Sequence, residues 1–151
     1  MNTSLKPSGC TNFKVRQLSR RLSQRYDAEV AQSGLKTTQY SLLSNLARLG
    51  PSRPVDLAAE LQMTASTLSR NLQPLIAAGW IVQSAGADAR SQLVQVTASG
   101  EDKRREAQQY WKAAQQKINV LLGVERVLAL HQLIDEAMEL LGADDEPAIE
   151  D

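Results

Sequence analysis

The stretch from Thr64 to Gln73 holds the side chains best suited to chemistry with a partner. Thr64, Ala65, Ser66, Thr67, Ser69, Arg70, Asn71 and Gln73 fall on the outer face of a short helix whose inner stripe is Leu68, Leu72, Leu75 and Ile76. Arg, Asn and Gln carry paired donors and acceptors that match base edges in the major groove of DNA. Small hydroxylated residues at the start let the backbone approach a duplex closely, and a helix N-terminus favours phosphate. A second group follows in the polar loop 84–91, where Asp88, Arg90 and Ser91 sit between two β-prone runs, 80–82 and 92–97. An arginine on a thin β-ribbon can enter a minor groove narrowed by A·T-rich sequence. A carboxylate two residues earlier could hold its guanidinium extended.

These groups need a particular scaffold. Two short helices crossing around a three- to four-residue turn would present the first. Pro54 opens one of them at a position that loses nothing by lacking a donor, and that helix runs roughly to Gln62. Met63 and Thr64 break the chain, and Thr64 is placed to cap a second helix running to about Ala78, where Gly79 halts it. Ala58 is the small residue for the crossing, and Met63 the apolar plug in the turn. Upstream, Val15, Leu18, Leu22, Tyr26 and Val30 recur at spacings of three and four, which predicts a helix from about Thr11 to Ala31, ended by Gly34. Thr37 or Thr38 can cap another helix, with Tyr40, Leu43 and Leu46 facing inward, that stops at Gly50-Pro51. Downstream, Ser99-Gly100-Glu101-Asp102 can start a long helix to about Leu122. Gly123 interrupts it, and a last apolar helix spans Glu125 to Leu141.

The order of these elements resembles the MarR-type (multiple antibiotic resistance regulator) winged helix-turn-helix family. The resemblance rests on Leu57-Ala58-Ala59-Glu60-Leu61 with Met63-Thr64, on Leu68-Ser69-Arg70-Asn71-Leu72, and on Ala78-Gly79-Trp80-Ile81. It extends through Asp88-Ala89-Arg90 and Val96-Thr97-Ala98-Ser99-Gly100. The fold class expected is mainly α, with a two-stranded wing (α+β). Residues 11–142 are expected to form one unit, with a DNA-binding lobe at about 37–97 and dimerisation helices at about 11–34 and 98–142. A flexible arm, 1–10, would precede it and an acidic disordered tail, 143–151, would follow. The family likeness further implies a homodimer on a pseudo-palindromic operator in double-stranded DNA, and a small-molecule pocket between the dimerising helices and each lobe. An arginine-rich first helix beside aromatic residues suggests an aromatic carboxylate there, bound by Arg16 or Arg20, with Tyr40 and Trp111 lining the cavity. Some relatives sense hydroperoxides through a cysteine in the first helix; that position falls at Asn12 here, two residues beyond Cys10, so a redox role for Cys10 is not expected. A winged helix that has given up base reading for protein contacts is the competing expectation.

Composition bounds these readings. The chain has 151 residues, 17 basic and 17 acidic, with one Cys and one His, which disfavours a metal site built from those ligands. Nothing nominates a nucleophile with its base, or a glycine loop for phosphates, so neither catalysis nor a cofactor is expected. No apolar run of membrane-spanning length occurs, and cytoplasmic placement is expected. The zero net charge is an average: residues 1–36 carry +5, residues 37–97 carry +1, and residues 98–151 carry −6. A lobe with so little excess charge should grip DNA through a few placed groups, and its affinity should fall with salt less steeply than that of a strongly basic binder.

Overall fold

The computed structural model describes residues 6–86, 88 and 91–143. Arg90, the first five residues of the expected arm and the expected tail from residue 144 onward lie outside the described residues. The elements run α1 (Thr11–Val30), a 3-10 turn (Ala31–Ser33), α2 (Thr37–Leu49), α3 (Pro54–Glu60), α4 (Ala65–Ala77), β1 (Ile81–Ala85), β2 (Gln92–Val96), α5 (Ala98–Leu122) and α6 (Val124–Ala143). They divide at Ala114 into two compact units.

In the first unit the core is built from α2, α3, α4, the strands and the first half of α5. Leu42, Leu43 and Leu46 meet Leu57, Leu68, Leu72, Leu75, Ile81, Val94 and Ala107, all buried in one cluster. Each large apolar side chain so buried contributes roughly 1.5–3 kcal/mol. Ala58 is buried and Met63 packs against the core, as the crossing and the turn require. The turn needs one more thing: Gln62 adopts a left-handed backbone, φ 50°. That lets the Met63 N–H donate to the Ala58 carbonyl at 2.8 Å.

The strands pair antiparallel from Ile81↔Val96 to Ala85↔Gln92. Ser84 and Ala85, expected in the loop, therefore belong to the ribbon, because ladder pairing overrides their weak β-propensity. Ser52 also bridges Val94, exchanging both backbone hydrogen bonds at 2.9 and 3.0 Å, and this fastens the start of α3 to the wing.

Several caps differ from expectation. Residue Lys36, not Thr37 or Thr38, precedes the first turn of α2. The Gln39 side chain accepts from the Lys36 N–H, and Asp27 of α1 accepts from the Thr37 N–H, both at 2.9 Å. Helix α5 begins earlier than Ser99: Thr97 Oγ1 accepts from the Gly100 N–H at 3.0 Å and donates to the Gly79 carbonyl at 2.7 Å. The expected cap Thr64 is in place, its Oγ1 accepting from the Thr67 N–H at 3.2 Å. Thr64→Ala should therefore lower unfolding stability by about 1 kcal/mol, measurable by urea titration; an unchanged midpoint would remove the cap from the account.

The stripe on α1 does not turn inward along its length. Val30 is buried, but Val15 is 59% and Leu18 37% exposed. Lys103 of α5 ties the end of α1 to the wing base. Its ammonium donates to the Ser33 carbonyl at 2.7 Å, pairs with Glu106 at 3.0 Å and lies 5.5 Å from the Trp80 ring centre.

The second unit comprises the end of α5 and α6, joined at Gly123 with φ 85°. Ile118 and Val127 are buried, whereas Val120, Leu121, Val124, Leu128, Leu133, Ile134, Met138, Leu140 and Leu141 are exposed. No helix among the described residues is long and apolar enough to cross a membrane.

Candidate nucleic-acid interface

Helix α4 turns Leu68, Leu72 and Leu75 into the core, and this fixes which side chains face out. Thr64, Ala65, Ser66, Ser69, Arg70 and Gln73 are exposed, while Thr67 and Asn71 are half-buried. At the N-terminus Thr64 Oγ1 also bonds Thr67 Oγ1 at 2.8 Å and Ser66 Oγ at 3.2 Å, so the hydroxyls form one cluster around the helix start. Asn71 is less free than expected, because its Nδ2 points at the Met63 sulfur, 3.9 Å away in the turn.

The charges sort more sharply than the sequence suggested. Arg48 pairs with Glu60 at 3.0 Å, and Arg53 grips both oxygens of Asp56 at 2.7 and 3.0 Å. Arg70 pairs with no carboxylate among the described residues; its Nε reaches the Ser66 carbonyl at 3.5 Å. Among the described residues two of the lobe's bases are thus already matched, and the unmatched one lies on the exposed face of α4.

The wing loop is held by a tight set of bonds. Asp88 Oδ1 accepts from the Ser91 N–H at 3.0 Å, and the Gly86 N–H donates to the Ser91 carbonyl at 2.6 Å. Asp88 and Ser91 are therefore tied to each other and to the end of β1. Electrostatically Asp88 also reaches Arg53, whose guanidinium is held charged chiefly by Asp56. Sequence reading missed this link between wing and α3, since it needs the Ser52–Val94 bridge, which has no periodic signature.

Beside the lobe lies a cavity of about 320 Å³, lined by Tyr26, Thr37, Tyr40, Ser41, Ser44, Asn45 and Trp111. Tyr40 and Trp111 were expected there. Trp111 stands 6.4 Å from the Tyr26 ring and 6.0 Å from the Tyr40 ring, centre to centre. Burial pushes the Tyr26 phenol above its ordinary value, so it stays protonated. Arg16 and Arg20 do not line the cavity. They are exposed on α1, one and a half to three turns before Tyr26, because the aromatic contacts form at the C-terminal end of that helix. Cys10 is exposed, just ahead of α1.

The neighbouring cation Arg104 is already engaged. Its guanidinium holds both oxygens of Glu101, at 2.6 and 2.9 Å, and this pair draws the Glu101 carboxyl below its ordinary range. A lowered folded-state value means that the pair stabilises the fold fully above the ordinary carboxylate range and loses that effect as pH falls from there through the lowered folded-state value. Glu101→Gln should cost about 1 kcal/mol or less at pH 7, and the difference in thermal midpoint should vanish on acidification. A difference that persisted once Glu101 is fully protonated would mean that packing, not charge, is responsible.

The profile of the MarR family matches residues 33–91, a span that contains both the α4 face and the wing loop. The HTH-type transcriptional regulator YwoH of Bacillus subtilis (strain 168) is 28% identical over 93 residues, 62% of this chain and 68% of YwoH. The M. tuberculosis transcriptional regulator MosR, solved in complex with DNA, is 31% identical; the match covers 86% of this chain and 98% of that chain, with a TM-score of 0.70. A MarR variant from E. coli, solved with operator DNA, is 19% identical with a TM-score of 0.77, covering 83% of this chain and 91% of that chain, a likeness of fold.

Proposed function

The chain belongs to the MarR family of DNA-binding winged helix-turn-helix transcription regulators, and from that premise we propose that it is a homodimeric repressor. It reads a pseudo-palindromic operator and leaves it when a small effector binds. The observation that carries this reading is the α4 face, where a cluster of hydroxyls at the helix start lies one turn from the exposed guanidinium of Arg70. Ala65, Ser69 and Gln73 complete the surface offered to the major groove, and the wing residues Asp88, Arg90 and Ser91 serve the minor groove. MarR-family regulators are typically non-enzymatic transcription factors, and the proposed place of action is the cytoplasm.

Dimerisation is supported by apolar side chains that the single chain leaves exposed on α1, at the end of α5 and on α6. A two-fold dimer presents two lobes to half-sites one helical turn, about 34–36 Å, apart. An effector is supported by the aromatic-walled cavity of the first unit.

Footprinting on the DNA upstream of the chain's own gene, with light scattering of the free protein, tests the proposal. Two protected half-sites about one turn apart, from a protein of twice the monomer mass, are expected. Uniform coverage without preferred sites would overturn base reading, and a monomer under the same conditions would overturn the two-fold arrangement.

A further inference from the structure

Two hydroxyls in the wall of the aromatic cavity, Thr37 Oγ1 and Ser44 Oγ, are buried and have no hydrogen-bond partner among the described residues. A buried hydroxyl without a partner destabilises the fold that contains it, so its presence needs a compensating use. The two residues lie seven apart on α2, two turns along one face, about 10 Å along the axis. Between them stands Tyr40, and Trp111 lies against both Tyr40 and Tyr26, so flat apolar surface separates two unsatisfied polar ends.

The cavity wall carries no formal charge. Two cations close to lining residues are already paired: Arg104, which reaches Tyr40 electrostatically, with Glu101, and Arg48, 3.5 Å from Asn45, with Glu60. An anion placed here would lose its hydration without gaining an unpaired cation. Resting on the effector reading above, we infer that the cavity takes an uncharged, elongated aromatic ligand of about two fused rings, with a hydrogen-bonding group at each end. Thr37 and Ser44 bind those ends while the rings stack on Tyr40 and Trp111. This replaces the aromatic carboxylate expected from Arg16 and Arg20, which lie away from the site.

The test uses a matched pair, 6-hydroxy-2-naphthamide and 6-hydroxy-2-naphthoate, which share a shape and differ in charge. Each is titrated by calorimetry into the full chain, and operator binding is measured with and without it. The amide is expected to bind at least tenfold more tightly than the carboxylate and to weaken the operator complex. Thr37→Val and Ser44→Ala should each reduce amide affinity about fivefold to tenfold. Each should also raise the thermal midpoint of the free chain by about 2–4 °C, since an unsatisfied group is removed. That combination separates a ligand contact from a structural one. Carboxylate binding as tight as amide binding overturns the uncharged class and leaves the effector reading standing. If neither compound binds or alters operator affinity, the effector reading falls and the class with it. A lower midpoint in both variants shows that the hydroxyls serve the fold and overturns the inference.

Discussion

Replacing Arg70 with alanine is expected to weaken operator binding by about 1–3 kcal/mol per half-site, roughly 5- to 150-fold, and to erase preference at one base pair in each. On a two-fold complex the substitution counts twice. The size follows from how the lobe's charge is spent: Arg48 and Arg53 are matched by Glu60 and Asp56, whereas Arg70 pairs with no carboxylate among the described residues. Arg70 is exposed and packs nothing into the core, so thermal stability should hold. Lysine should not restore preference, because an ammonium lacks the planar fork. The measurement is anisotropy on the operator and on single-base variants of it across a salt series. A uniform loss over all sequences, with the salt slope smaller by about one, would make Arg70 a phosphate contact instead.

Gly100→Ala should cost about 3 kcal/mol, a large effect for the addition of one methyl group. A Cβ at Gly100 would run into the Trp80 carbonyl oxygen and crowd Val96 Cγ1 at 2.9 Å. Neither can step aside. The Trp80 carbonyl accepts from the Thr97 N–H at 3.0 Å, and Val96 pairs with Ile81 across the wing. The methyl must therefore displace the start of α5 or part the strands at their base, weakening DNA binding along with the fold. Urea unfolding measures the first effect and operator titration the second. A variant within 1 kcal/mol of the parent would show that α5 can shift without loss.

Comparison of the two sites shows what a sequence can carry. The α4 face was legible because helical periodicity assigns inside and outside together: once Leu68, Leu72 and Leu75 are inward, Arg70 and Gln73 must face out. The cap at Thr64 was legible for the same local reason. What failed to show was set by contacts between distant segments. Asp27 capping α2 spans ten residues, and the Ser52–Val94 bridge spans more than forty. The aromatic cavity was read least well. Tyr40 and Trp111 were foreseen as walls, but Arg16 and Arg20 were enlisted by type, and α1 places them beyond the aromatic end. Thr37 and Ser44 gave no signal, since an unsatisfied hydroxyl is a property of its surroundings and not of its spacing.

The anchoring of Lys103 has a practical consequence for solution experiments. A primary amine reacts with acylating reagents through its free, deprotonated form. The Lys103 nitrogen is covered, donating to the Ser33 carbonyl and pairing with Glu106, with its side chain only 23% exposed, so a reagent reaches it only when those contacts part. Lys14, Lys36 and Lys112 stand exposed on the same chain and set the baseline of labelling. The ratio of Lys103 modification to theirs, read by mass spectrometry, is an internal clock for separation of the wing base from the end of α1, and it needs neither an engineered probe nor a known ligand.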